Sequence, residues 1–193
     1  MKTLTTLLRE VRKCKICSDY LPAGPRPILS AHESARILVI GQAPGRRVHD
    51  SGIPWDDPSG DRLREWLGVT RKQFYDPKQL ALVPMGFCYP GKGSSGDLPP
   101  RPECAGTWHE QLLERMPYVK FTVLLSRFAH ARYLGDRRKV TLTETVKAWK
   151  EYRPHYVPLP HPSPRNNIWL KKNPWFAEQV LPDLRRRVEQ ALR

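Results

Sequence analysis

Four consecutive apolar residues, Ile37-Leu38-Val39-Ile40, run without a break into Gly41-Gln42-Ala43-Pro44-Gly45. An uninterrupted, mostly β-branched run of this kind suits a strand buried on both faces, as inside a parallel sheet. In open α/β sheets ligands sit beyond the carboxyl ends of the strands, so the glycine turn marks the place where a pocket should begin. Gly41 and Gly45 let backbone approach a ligand closely, and Pro44 stiffens the turn. The spacing is not the dinucleotide fingerprint, and no Gly-Lys-Ser/Thr follows to make a P-loop.

The remainder of the chain alternates between helical and strand-like patterns. Leu4, Leu7, Leu8 and Val11 predict an amphipathic helix over 3–13 that delivers Cys14-Lys15-Ile16-Cys17. Pro22, Gly24, Pro25 and Pro27 break up the connector that leads to the first strand. A long loop is expected from Arg46 to Gly60, then a helix over 61–67 with Ser59 as its cap and Gly68 at its end. Leu80–Val83 reads as a second strand, followed by a loop rich in Gly and Pro over 89–102 and a helix over 103–116 opened by Cys104. A third strand is expected over 119–125, helices over 128–134 and 142–152, and a fourth strand over 156–159. That last strand empties into Pro160-His161-Pro162-Ser163-Pro164-Arg165-Asn166. The closing helix, 175–192, carries Val180, Leu184, Val188 and Leu192 on one stripe. With no internal repeat, this pattern predicts a single domain over 1–193, a three-layer α/β/α sandwich on a short, largely parallel four-stranded sheet.

Charge narrows the class of partner. The 193 residues contain 33 Lys+Arg against 19 Asp+Glu, a formal charge of +14 spread along the chain. Such a field attracts polyanions, so nucleic acid is the expected partner. No run approaches the roughly 18 apolar residues that span a bilayer, and the first residues lack a signal-peptide core. A cytoplasmic monomer is expected, nucleoid-associated if bacterial. In a reducing compartment the four cysteines suit metal binding better than disulfides. Cys14 and Cys17 supply two thiolates from one side, and Cys88 and Cys104 would complete the set. Spacing alone leaves zinc and an iron–sulfur cluster open.

Taken together, Gly41-Gln42-Ala43-Pro44-Gly45 and His161-Pro162-Ser163-Pro164 resemble the uracil-DNA glycosylase superfamily. The resemblance extends to the Cys14/Cys17 pair, the Asp50-Ser51-Gly52-Ile53-Pro54-Trp55 loop, Cys88 and Cys104. This order is most similar to the iron–sulfur branch, in which four cysteines so placed hold a [4Fe–4S] cluster. The resemblance implies a base-excision DNA repair enzyme that hydrolyses the N-glycosidic bond of uracil or a related deaminated or damaged base. It also assigns His161 to hydrogen-bond a base carbonyl as negative charge develops there, and Trp55 to stack on the extruded base. Gly41, Ala43 and Pro84 complete the expected base-binding set. Ser163, Arg165 and Asn166 are expected at the DNA-facing rim, with Arg46, Arg47, Lys171 and Lys172 as phosphate contacts.

The chain departs from the family pattern at the chemistry itself. Where the iron–sulfur branch usually has Glu after the first glycine, this chain has Gln42. Where the best-known uracil enzymes follow Gln with Asp, it has Ala43. An Asn that pairs with the edge of uracil in relatives is matched here by Pro84. Water is therefore expected to be handled by Gln42 with a loop carboxylate, Asp50, Asp56 or Asp57, and selectivity for uracil to be relaxed. The rival expectations are a non-catalytic iron–sulfur DNA-binding protein of the same fold and a zinc-stapled RNA-binding protein.

Overall fold

The computed structural model of the chain describes residues 2–193. Its centre is a four-stranded sheet built from β1 (Ile37–Ile40), β2 (Leu80–Leu82), β5 (Phe121–Leu125) and β6 (Tyr156–Leu159) in the order β2-β1-β5-β6. Every pairing in this sheet is parallel, with Ile37 opposite Leu80 on one side and Phe121 on the other. A small antiparallel ribbon, β3 (Lys92–Gly93) and β4 (Gly96–Asp97), stands apart from it.

Side-chain parity explains the layers. Successive residues of a strand point to opposite faces, so Ile37 and Val39 enter one core while Leu38 and Ile40 enter the other. Phe121, Val123 and Leu125 join the first, and Leu124 joins the second. The Leu38 face is covered by the helix Leu4–Arg12 through Leu4, Leu7, Leu8 and Val11, together with Leu112, Ala129 and Leu134. The Ile37 face is covered by Leu63, Trp66 and Leu67 of the helix Pro58–Leu67, by Val146 and Trp149, and by Phe176, Val180, Leu184 and Val188 at the C-terminus. A strand buried from both sides must be apolar at every position, which is why β1 shows no alternation.

Several boundaries differ from those expected. The stretch read as a loop from Arg46 to Gly60 contains a short helix, Arg46–Ser51, because Val48 and His49 are drawn inward while Arg46 and Arg47 stay exposed. The next helix starts earlier, at Pro58, and its cap is Asp57 instead of Ser59: the Asp57 carboxylate accepts from the Gly60 N–H at 2.8 Å. Gly68 ends that helix in the left-handed conformation, as expected. The 103–116 helix begins at Pro102 and passes through a π segment at Ala105–His109. The Gly/Pro-rich 89–102 loop contains the β3–β4 ribbon.

β5 ends in a strained residue. Ser126 has φ +77°, is buried, and its Oγ finds no hydrogen-bond partner among the described residues. A side chain in the left-handed region and a buried unsatisfied hydroxyl both cost stability. Ser126→Gly removes both, against a loss of unfolded-chain restriction. The variant should be more stable by about 1 kcal/mol, raising Tm by about 2–4 °C, as read by thermal and urea unfolding monitored by circular dichroism.

Candidate active site

Beyond the carboxyl ends of β1, β2 and β6 the chain encloses a cleft of about 370 Å³. That falls within the range of small-ligand pockets. Its floor is the turn 41–45. The β1–β2 ladder continues past the strands: Val83, Met85 and Gly86 donate their N–H groups to the carbonyls of Val39, Gly41 and Gln42 at 2.9–3.0 Å. The two loops are laced together, so the backbone under the cleft is held rigidly on a parallel sheet.

Trp55 forms one wall, and its seat depends on two glycines. A Cβ at Gly41 would lie 2.6 Å from the indole, and one at Gly60 would lie 1.8 Å from the Trp55 carbonyl oxygen. Trp55 itself has φ +59°, a conformation uncommon for an aromatic residue. Arg64, buried in the helix behind it, pairs with Asp61 and approaches the Trp55 carbonyl and the Tyr75 hydroxyl.

The indole stacks on the His161 imidazole, with ring centroids 5.7 Å apart and planes 29° from parallel. Three interactions hold the His161 loop. The Asn166 side-chain amide donates to the His161 carbonyl at 2.7 Å, Arg62 donates to the Ser163 carbonyl at 3.0 Å, and the Ser163 hydroxyl accepts from the Arg165 N–H at 3.2 Å. The Ser163 N–H donates to His161 Nδ1 at 3.2 Å. Nδ1 is therefore an acceptor, and the proton of the neutral ring sits on Nε2. Burial pushes the imidazole below its ordinary value, and the Asp57 carboxylate opposes that shift. His161 is thus presented as a neutral hydrogen-bond donor.

Of the carboxylates expected from sequence, only Asp57 lines the cleft. Asp50 is exposed and paired with Arg46 at 3.0 Å, and Asp56 is paired with Arg71 at 3.1 Å. Gly41, Gln42, Ala43, Pro84, Ser163, Arg165 and Asn166 do line it, whereas Arg46, Arg47, Lys171 and Lys172 lie outside it on the exposed surface. Ser163 and Asn166 are engaged within their own loop, with Asn166 acting as a brace for His161.

Two contributors escape the sequence reading. Asp97, on β4, lines the cleft opposite the glycine turn, its Oδ2 3.3 Å from the position a Cβ on Gly45 would take. Partial burial raises its carboxyl above the ordinary value, Arg165 opposes this, and Asp57 adds to it. The Gly93-Ser94-Ser95-Gly96 spacing carries a hairpin signal, but in a segment so rich in Gly and Pro it is easily read as plain loop. The other is His109. Its Nε2–H donates to the Pro84 carbonyl at 2.9 Å, and its Nδ1 accepts from the Tyr133 hydroxyl at 2.5 Å. Burial pushes this imidazole down to about 4, so it stays neutral and fixes the Pro84 turn from beneath. A lone histidine inside a helix has no sequence signature for that role.

Away from the cleft, all four cysteines line one small cavity with Leu21, Pro25, Pro27, Phe87 and Arg101. The Phe87 N–H points to Cys104 Sγ at 3.5 Å. Burial raises the Cys88 thiol to about 11 and the Cys104 thiol to about 12, with the neighbouring thiols adding to each. Among the described residues no group of three or more His, Cys, Asp or Glu side chains is placed so that it could hold a metal ion.

A four-stranded parallel sheet between helical layers, with a cleft at its carboxyl edge walled by an aromatic ring and a histidine, defines a three-layer α/β protein with a small-ligand pocket. A family model described as the uracil DNA glycosylase superfamily matches residues 29–185. The chain belongs to that superfamily. Among the described residues no helix is long and apolar enough to cross a membrane.

The state of His161 is open to direct measurement. Because burial disfavours the charged ring, its Cε1–H resonance should titrate with a midpoint below the ordinary value of about 6.5. A midpoint at or above that value, in an NMR titration assigned with His161→Gln, would contradict the neutral-donor reading.

Proposed function

We propose that this protein is a monofunctional DNA glycosylase, hydrolysing the N-glycosidic bond between deoxyribose and uracil or another deaminated or damaged base. The observation that carries this reading is the Trp55–His161 pair in the cleft, with Nδ1 of His161 occupied by the Ser163 N–H so that Nε2–H is free to donate.

In such a reaction the C1′–N bond breaks with its electron pair leaving on the base, and the sugar becomes oxocarbenium-like. The site must hold the base out of the stack, stabilise its developing charge and admit water to C1′. Trp55 offers a π-face for the extruded base. His161 Nε2–H supplies a preoriented donor to a base carbonyl oxygen, and a neutral imidazole does so without first having to lose a proton. The excess of Lys and Arg would hold the phosphate backbone, Arg165 from the rim of the cleft and Lys171 and Lys172 from the helix Asn167–Lys172 beyond it.

Pro84 bears on base choice. Its carbonyl is already taken by His109, and its side chain carries no donor or acceptor. A pocket without a side-chain amide at that position discriminates by shape and stacking, which is weaker than pairing with a base edge. Relaxed or altered base preference follows.

The four-cysteine cavity supports a [4Fe–4S] cluster held by Cys14, Cys17, Cys88 and Cys104. The sulfurs come from three separate segments and share one cavity, and the Phe87 N–H points at Cys104 Sγ, which favours thiolate charge there. When bound, the group would serve as a staple, tying the N-terminal helix to the loops after β2 and before the Pro102 helix.

Two measurements test these readings. On oligonucleotides carrying a panel of deaminated and damaged bases, with abasic sites revealed by alkali, wild type should cleave at least one. His161→Ala should lose on the order of 10²–10³-fold in rate while DNA affinity is largely spared. Excision of none by wild type, with tight salt-sensitive binding retained, would instead favour the non-catalytic DNA-binding reading. Protein purified without oxygen should be brown with roughly four irons per chain, whereas colourless protein with stoichiometric zinc would overturn the cluster.

A further inference from the structure

We infer that Asp97, carried over the cleft by the β3–β4 hairpin, is the carboxylate that activates water in this protein, in place of an acid on the glycine turn. The inference rests on the glycosylase reading and adds a catalytic residue to it.

The glycine turn has no carboxylate of its own: Gln42 and Ala43 occupy its centre. Hydrolysis at C1′ still needs a group to take a proton from water and to face the positive charge on the sugar. Two carboxylates line the cleft, and they differ in what they are free to do. Asp57 is committed as a helix cap, its Oδ1 accepting from the Gly60 N–H at 2.8 Å. The Asp97 carboxylate makes no hydrogen bond or ion pair among the described residues, and its Oδ2 lies close to Gly45. A residue larger than glycine at position 45 would put its Cβ only 3.3 Å from that oxygen.

The hairpin that carries Asp97 is tied to the histidine loop. Arg165, four residues beyond His161, donates from Nη1 to the Ser95 carbonyl at 3.1 Å. The same guanidinium fills the space beside Gly96, where a Cβ would come within 2.5 Å of Nη1 and φ is +142°. The base-contacting histidine and the free carboxylate therefore sit on two segments joined by one side chain. Seating the His161 loop on DNA would set the position of Asp97 as well.

The step balances with these groups alone. The water oxygen bonds to C1′ as the C1′–N bond breaks, the bonding pair leaving on the base, whose carbonyl oxygen accepts from His161 Nε2–H. One water proton passes to the Asp97 carboxylate. The anionic base then takes that proton back through solvent, restoring the carboxylate, and the sugar keeps a hydroxyl at C1′. Asp57, Arg165 and Lys92 are the charged groups facing Asp97.

The test uses the full-length protein, single-turnover excision on the best substrate from the base panel, and fluorescence-anisotropy binding to the same duplex carrying an uncleavable abasic-site analogue. Asp97→Asn should lose about 100-fold or more in rate with analogue affinity unchanged or slightly tighter, since a negative charge facing phosphate has been removed. Asp57→Asn, which keeps the helix cap, should lose much less. Asp97→Asn with a rate within about threefold of wild type would overturn the inference and leave the glycosylase reading standing. So would a larger loss in Asp57→Asn, or a parallel loss of rate and affinity in Asp97→Asn. Absence of excision by wild type itself would overturn both.

Discussion

The packing of the Trp55 indole over the end of β1 is the contact on which the rest of the cleft depends. The ring fits only because Gly41 and Gly60 carry no side chain, and the backbone at Trp55 takes a left-handed conformation to deliver it. Protein interiors are close-packed, so a contact this tight leaves little slack for the neighbouring groups. His161 stacks on the indole, and Asp57 caps the helix Pro58–Leu67. One aromatic ring thus forms a wall of the cleft and packs against the histidine beside it.

The His161 loop itself is held by charged and polar side chains whose outward appearance suggests nucleic-acid contact. Asn166 braces the His161 carbonyl, Arg62 reaches the Ser163 carbonyl from another helix, and Arg165 bridges to Ser95. A motif loop that is rich in proline has few N–H groups with which to make its own ladder. Side chains supply the missing bonds. Beneath the opposite wall, the neutral His109 does the same for Pro84, at the end of a chain that begins at the Tyr133 hydroxyl. Such preorganisation is what a site needs if it is to stabilise developing charge without first rearranging.

Backbone strain is found near the carboxyl edge of the sheet. Trp55 and Ser126, the two non-glycine residues with positive φ among those described, both follow strand ends or the loops built on them. The cysteine cavity is formed where the Cys14/Cys17 turn meets Cys88 and Cys104. Phe87 of that region lies two residues past the Met85 that bonds Gly41, so the cavity and the cleft share the loop after β2. A staple at one end of that loop would restrain its other end, which lines the cleft at Pro84.

Much of this was legible in the chain before any coordinates. The unbroken apolar run 37–40 required a strand covered on both faces, and the other three strands, the glycine turn and the His-Pro-Ser-Pro loop followed from local pattern, because burial period and turn chemistry are local properties. The Cys14/Cys17 pair stood out in the same way, because a CxxC pair is hard to explain by packing, whereas spacing alone does not bring Cys88 and Cys104 to the cavity that all four line. What the tertiary structure alone decided is which of several chemically similar groups share a volume. Asp50, Asp56 and Asp57 are near-neighbours in sequence, yet only Asp57 reaches the cleft, since Arg46 and Arg71 hold the other two elsewhere. Asp97 enters it from forty residues away on a ribbon that Arg165 bonds at the Ser95 carbonyl, a contact seventy positions apart along the chain. Proximity of that kind is set by how layers and loops close over the sheet, and no periodicity or spacing in a single sequence encodes it.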